Sequence, residues 1–323
     1  MFHRTPRPST DPRLRSLLQK AARRGFTNVV DRTLTRLEQA GDRAWVRSRA
    51  VVITFEECWP LGASLAVTRE DSSRRKAVLR VTKAAKYKDA AALGTLAYGH
   101  HEGDKSMADC VPDMRSLELV SDALERPQRF FTWVRERSET AQSIDLINAA
   151  EQYLPAASWQ WDKACILAAA LLSTQGDMPL VRPAETLQGD FPYWVALDKH
   201  TPQGKVVLSE VARQAHASYR QLMWASFYCE SALVNRLLPS PWWDAEKRWR
   251  LRRAGLTVAA AEALWSRARG LIRDRLSSEA AALQALVDAT DSGRTPSAGQ
   301  GRLFETLTKV TRSMSETHER RKY

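Results

Sequence analysis

The stretch Asp11-Pro12-Arg13-Leu14-Arg15-Ser16-Leu17-Leu18-Gln19-Lys20-Ala21-Ala22-Arg23-Arg24-Gly25 decides the fold class. Asp11 carries a short carboxylate of the kind that accepts from free N–H groups at a helix start. Pro12 suits the first helical position, where its nitrogen has no bond to donate. Leu14, Leu17, Leu18 and Ala21 recur at i, i+3, i+4 and i+7, one face of a 3.6-residue period, and Arg13, Arg15, Lys20, Arg23 and Arg24 take the other faces. Gly25 falls where a left-handed cap would end the helix. A second helix is expected from about Thr27, with Val30, Leu34 and Leu37 inward and Gly41 as its stop. The two then form a helical hairpin with a short connection.

Asp42 caps a third segment, residues 43–57. Its β-branched centre, Ala50-Val51-Val52-Ile53, could be a short buried strand, but the flanking caps and the lack of a partner strand favour a helix. Further helices are predicted at 84–101, 112–126, 127–137, 140–154, 158–174, 203–217, 219–237 and 256–288, the last alanine-rich and long. Residues 176–202 hold Pro179, Pro183, Gly189, Pro192 and Pro202 and read as an irregular connection. Residues 290–301 read as a flexible linker that leads to a basic tail ending at Tyr323. The expected architecture is all-α: stacked helical hairpins in an N-terminal half, 1–175, and a C-terminal half, 203–289, with no P-loop or Rossmann domain.

The 323 residues include 49 Lys+Arg against 37 Asp+Glu, a formal charge of +12, with an ordinary hydrophobic share of 44%. The excess sits in blocks: residues 1–49 carry net +8, 69–88 net +6 and 247–275 net +7, so the remainder is acidic. Such polarity favours a polyanionic partner, since phosphate contacts release condensed counterions; the alternative is that these cations only solvate helix faces. No apolar run approaches the ~20 residues of a bilayer span, and no apolar segment follows the basic N-terminus, so no membrane partner and a cytoplasmic location are expected. Cys58, Cys110, Cys165 and Cys229 lie far apart and read as thiols of a reducing compartment. Neither a Walker-type phosphate loop nor G-x-G-x-x-G, G-x-S-x-G or H-E-x-x-H occurs; no cofactor and no metal is expected, which argues against an autonomous enzyme.

The string Trp45-Val46-Arg47-Ser48-Arg49-Ala50-Val51-Val52-Ile53-Thr54-Phe55-Glu56-Glu57 follows the first hairpin, whose turn reads Ala22-Arg23-Arg24-Gly25. It resembles the arginine-led helix of the collar-like post-ATPase region in AAA+ proteins of the replication-associated recombination protein A and clamp-loader type. There an arginine followed by apolar residues precedes an acidic pair by about seven positions, as Arg49 precedes Glu56 and Glu57. The likeness spans about residues 12–66, with Glu57 in place of the usual aspartate and Trp59 in place of a glycine. It implies a helical assembly module working beside DNA, docking on an AAA+ ATPase and hydrolysing no nucleotide itself. On the residues alone, Glu56 and Glu57 could instead pair with Arg47 or Arg49 within one hairpin and fix its packing.

Three other strings are candidates for chemistry. In Ala196-Leu197-Asp198-Lys199-His200-Thr201-Pro202-Gln203-Gly204-Lys205, Asp198 and His200 could share a metal or relay a proton, and a phosphate could sit near Lys205 at the following helix start. Thr201-Pro202 also reads simply as an N-cap and first-turn pair. His100-His101-Glu102-Gly103-Asp104 reads as a helix end rather than a metal site. In Pro239 to Arg253, aromatics alternate with cations: Trp242, Lys247, Arg248, Trp249, Arg250, Arg252 and Arg253 form a candidate nucleic-acid surface, with Arg23 and Arg24 as a second. Trp159, Trp161, Trp224 and Trp265 lie in helical apolar patterns and are expected in the core. The function expected is a non-catalytic DNA-associated helical protein, accessory to replication, recombination or a mobile element. The alternatives are an enzyme using Asp198 and His200 on a phosphate-bearing substrate, and a scaffold for an acidic partner.

Overall fold

Asp11 accepts from the Arg13 N–H at 2.9 Å, Pro12 opens the first helix, and Gly25 ends it at φ 80°. The computed structural model describes residues 11–65, 71–187 and 192–289, and all but the last two of these belong to one unit, Met1–Val287. Its regular structure is helical. In order come α1 (Pro12–Arg24), α2 (Thr27–Gln39), α3 (Arg43–Cys58), α4 (Asp71–Thr82), α5 (Asp89–His101), α6 (Met114–Ala123), α7 (Pro127–Arg135), α8 (Ala141–Tyr153), α9 (Gln160–Leu172), α10 (Pro202–Gln214), α11 (Tyr219–Ser226), α12 (Pro241–Arg253) and α13 (Val258–Asp288). Among the described residues β-pairing is confined to isolated bridges, and no helix is long and apolar enough to cross a membrane. The fold is all-α. The linker and basic tail expected from residue 290 onward lie outside the described residues.

Two apolar clusters form the core. The first gathers the inward faces of α1 to α9 and takes in Trp242, Ala245 and Trp249 of α12 and Ala280, Leu283 and Val287 near the end of α13. The second is built by α10, α11 and the first part of α13, from Leu197 through Trp265 to Leu276, and includes Leu251 of α12. Thus α12 and α13 serve both clusters, and Tyr193 and Ala196 pack against both, between Val195 of the first and Leu197 of the second. The tightest helix contact is α5 on α9, where a Cβ on Gly94 would lie 2.5 Å from the Cys165 nitrogen. Small residues such as Ala90, Ala97, Ala168 and Ala169 let these backbones approach.

Three segments depart from the sequence-based expectations. Residues 84–87 form isolated backbone bridges instead of a helix: Ala85 N donates to Arg182 O, Lys86 N to Arg236 O and Tyr87 N to Glu57 O. Long-range backbone pairing overrides local propensity there. The helix expected over 219–237 stops at Ser226, continues as a π-helical turn, Phe227–Ser231, and then runs irregularly to α12. α4 was hidden behind its charge, because five of its residues are Arg, Lys or Asp. The Ala50-Val51-Val52-Ile53 segment is helical and buried inside α3. All four cysteines are free thiols, with Cys58 and Cys165 buried.

Candidate functional site

Two adjoining cavities, about 260 Å³ and about 540 Å³, share Gln19, Arg23, Arg49, Lys199, His200 and Phe227 on their walls. Their combined size lies in the range of small-ligand sites, roughly 300–1,000 Å³. The cleft is assembled from α1, α3, α9, the turn before α10, and the π-helical turn.

Its floor is an internal charge network. Arg23 Nε donates to Glu57 at 2.8 Å and its Nη2 to Glu56 at 3.1 Å, while Lys88 Nζ lies 2.9 Å from the other Glu57 oxygen. Arg49 reaches Asp162 at 3.0 Å, Gln19 at 2.7 Å and, more loosely, Glu56 at 3.5 Å. Burial alone would raise the Glu57 carboxyl, but Arg23 and Lys88 outweigh it and hold it at about 2. Burial pushes Asp162 above its ordinary range against the pull of Arg49. The acidic pair therefore ties α3 to α1 and to the chain entering α5; Glu57 makes no bond to Arg47 or Arg49 within its own helix, and Glu56 touches Arg49 only at the edge of range. Arg24 is likewise engaged, with the Glu230 carboxylate and carbonyl and with the Trp194 ring 4.3 Å away.

The roof is aromatic. The π-helical turn inserts one extra residue per turn, and this sets Phe227 on the cleft wall while Tyr228 is buried, its hydroxyl donating to Glu246 at 2.9 Å. Phe227 meets Trp224 edge-on at 5.6 Å. Trp161 and Trp243 line the smaller cavity, and Trp45 and Trp159 the larger. Trp159 is 70% exposed and Trp161 42% exposed, so both correct the expectation that they are core; Trp265 is buried as expected. Trp159 stands at the N-cap of α9, outside the helix it was assigned to.

The α12 residues do not share the one nucleic-acid surface expected of them. Trp249 is 1% exposed and Trp242 is buried too, so neither can stack on a base. Arg250 bonds to buried Glu246 at 3.2 Å and sits 4.6–5.1 Å from the centroids of Trp161, Trp224 and Trp249. Arg252 pairs with Asp109 at 2.6 Å, Arg253 with Asp104 at 3.1 Å and Lys247 with Glu262 at 3.6 Å, while Arg248 donates to the Cys110 carbonyl. Sequence periodicity placed these side chains on a helix face; it could not show that α5 and the 104–110 segment pack alongside.

The turn before α10 delivers Lys199 and His200 to the cleft. Asp198 accepts from the His200 backbone N–H at 2.7 Å and lies 3.7 Å from Lys20 Nζ, and Thr201 caps α10 by accepting from Gly204 N. Gly204 is required there, because a Cβ would lie 1.8 Å from the Asp198 carbonyl oxygen. Asp198 is thus a turn-forming carboxylate, and it and His200 do not converge on a metal. Among the described residues no cluster of ligating side chains could hold a metal ion. Lys205 is exposed on α10 and borders neither cavity. His100 contacts Ser121 and Lys105 at the end of α5.

No known family, curated protein or solved structure matches this chain.

Gln19, Trp45, Lys88, Asp162, Lys199 and Phe227 escaped sequence reasoning. Lys199 alone carried a usable signal, since it lies between Asp198 and His200 in the capped turn.

Proposed function

We propose that this protein holds an unpaired nucleic-acid strand in the cleft, with DNA as the form favoured by the likeness of α1–α3 to a post-ATPase collar. One observation carries this: the larger cavity sets the exposed Trp159 within the same walls as Arg15, Arg49 and Lys199, while the half-exposed Trp161, packed on Tyr98 and Arg250, lines the adjoining one. Bases stack on aromatic faces while cations meet the phosphates, and such stacking contributes ~1–3 kcal/mol per base. Duplex DNA keeps its bases inside, so rings set in a concave site favour a strand whose bases are free. The exposed Arg248, Arg252 and Arg253 serve as outlying contacts of low individual worth, because each already has a partner. Docking on an AAA+ ATPase through α1–α3 belongs to the same proposal.

Fluorescence anisotropy with a labelled 12-residue oligothymidylate tests it. With about three cations on the strand the log–log salt slope is near −2, so raising salt fourfold weakens binding roughly 20-fold. Absence of binding at 50 mM salt, or tighter binding of a duplex of equal length, would contradict the proposal.

A further inference from the structure

Among the described residues, every lysine and arginine on the cleft walls but one is matched by a carboxylate. Arg23, Arg49, Lys88 and Arg250 are held by the acids described above. Arg15 pairs with Asp42 at 2.8 Å, and Lys20 lies 3.7 Å from Asp198. Desolvation lowers the His200 imidazole from its ordinary 6.5, so at pH 7 it is mostly neutral.

Lys199 is the exception. Its ammonium lies 4.1 Å from the Trp224 ring centroid and 4.9 Å from that of Phe227, and among the described residues it donates no hydrogen bond and forms no ion pair. Burial lowers it to about 8, which leaves most of it charged at pH 7, and the ring faces favour that charge. The turn that carries it is fixed by the Thr201 cap and by the close contact between Gly204 and the Asp198 carbonyl. A held cation with no anion beside it is a place for a ligand's negative group.

Its position says which group. Lys199 and Phe227 lie on the wall that the two cavities share. The smaller cavity carries Trp161 and Trp243 on one side of that wall, and the larger carries Trp45 and Trp159 on the other. At about 260 and 540 Å³, each is larger than the roughly 150 Å³ that takes up a benzene ring, so each has room for a base. A phosphodiester has the matching form: one negative charge, with a base on either side of it.

We propose that Lys199 fixes the register of the bound strand: its ammonium meets one internucleotide phosphate, and the two bases joined by that phosphate enter different cavities. The recognised unit is a dinucleotide. This rests on the strand-binding function proposed above and adds its register and its smallest ligand. The same unit occurs within a longer strand and as a free dinucleotide, and the two sources are separable.

Quenching of tryptophan fluorescence, titrated to millimolar ligand at pH 7.0 and 50 mM salt, tests the inference. The full chain is titrated with the thymidine dinucleotide TpT, with its uncharged methylphosphonate analogue and with thymidine 5′-monophosphate; anisotropy follows the labelled oligothymidylate in parallel. Wild type should bind TpT roughly 10-fold or more tightly than the methylphosphonate. The monophosphate, which offers one base, should bind roughly 5-fold or more weakly than TpT. Lys199→Met should lose the same factor for TpT and nothing for the methylphosphonate, so the two losses do not add. Lys205→Met, outside both cavities, should match wild type, with thermal melts confirming that each variant is folded. The ligand comparison on wild type needs no variant at all. Equal affinity for TpT and the methylphosphonate, equal affinity for TpT and the monophosphate, or a Lys199→Met loss shared by both dinucleotides would overturn the inference. Oligothymidylate binding that persists beside such a result leaves strand binding standing without this register. Charge-dependent TpT binding through Lys199, with no binding of oligothymidylate, would support the dinucleotide site and contradict the strand. Binding of neither would overturn both.

Discussion

Arg23 of α1 and Glu57 of α3 meet at 2.8 Å where solvent does not reach the carboxylate, and Lys88 closes on the same group from the other side at 2.9 Å. A buried carboxylate held by two cations is stable only while all three are present. Glu57→Gln would leave Arg23 and Lys88 facing a neutral amide, and we expect a loss of about 3–5 kcal/mol in unfolding free energy, measured by urea denaturation. The folded pKa of Glu57, about 2, lies below its ordinary 4.5. Its contribution is therefore fully present above about pH 4.5 and is lost as pH falls toward 2. Wild-type urea midpoints should drop across that window, and those of Glu57→Gln should drop less.

Two neighbouring arginines on α12 should behave in opposite ways. Arg250→Ala removes the cation beside buried Glu246 and empties the space between Trp161, Trp224 and Trp249, with an expected cost of about 3 kcal/mol or more. Arg248→Ala removes an exposed side chain bonded only to a carbonyl, and its effect should stay within about 0.5 kcal/mol. Thermal melts of the two variants make the comparison, and equal stabilities would contradict the buried role of Arg250.

The helices whose ends carry their own chemistry were legible in the sequence. Asp11-Pro12 with Gly25, and Thr201-Pro202, act as caps in the structure. Residues 84–87 were misread because alanine and lysine favour a helix locally, whereas their backbone is claimed by partners about a hundred residues away or more, at Arg182 and Arg236. The cleft was legible only in part. Arg23, Arg49, Glu56 and Glu57 were singled out, but their pairing depends on how α1 crosses α3, which no spacing within one helix encodes. Trp159 and Trp161 matched an apolar helical pattern; their exposure follows from where α9 begins, a tertiary fact.

Gly204→Ala tests the turn that presents Lys199. The added methyl would meet the Asp198 carbonyl at 1.8 Å, so either α10 or the turn must move. We expect a loss of about 1–3 kcal/mol in stability, together with weaker strand binding because Lys199 and His200 are displaced. Undiminished stability would mean that the turn adjusts freely.

Trp159→Ala should separate binding from folding. The ring is 70% exposed, so its removal should change stability by no more than about 0.5 kcal/mol. Loss of one stacked base should weaken oligothymidylate binding by about 1–3 kcal/mol, or roughly 5- to 150-fold, in an anisotropy titration. Trp265→Ala, which empties a buried site in the second core, should instead unfold the protein at lower temperature.

Photocrosslinking locates the strand directly. An oligonucleotide carrying 4-thiothymidine is bound, irradiated and digested, and the modified peptides are identified by mass spectrometry. Strand binding in the cleft requires adducts on the peptides that carry Trp45, Trp159 and Trp161. Adducts confined to the exposed Arg248, Arg252 and Arg253 side of α12, with none on those tryptophan peptides, would contradict it.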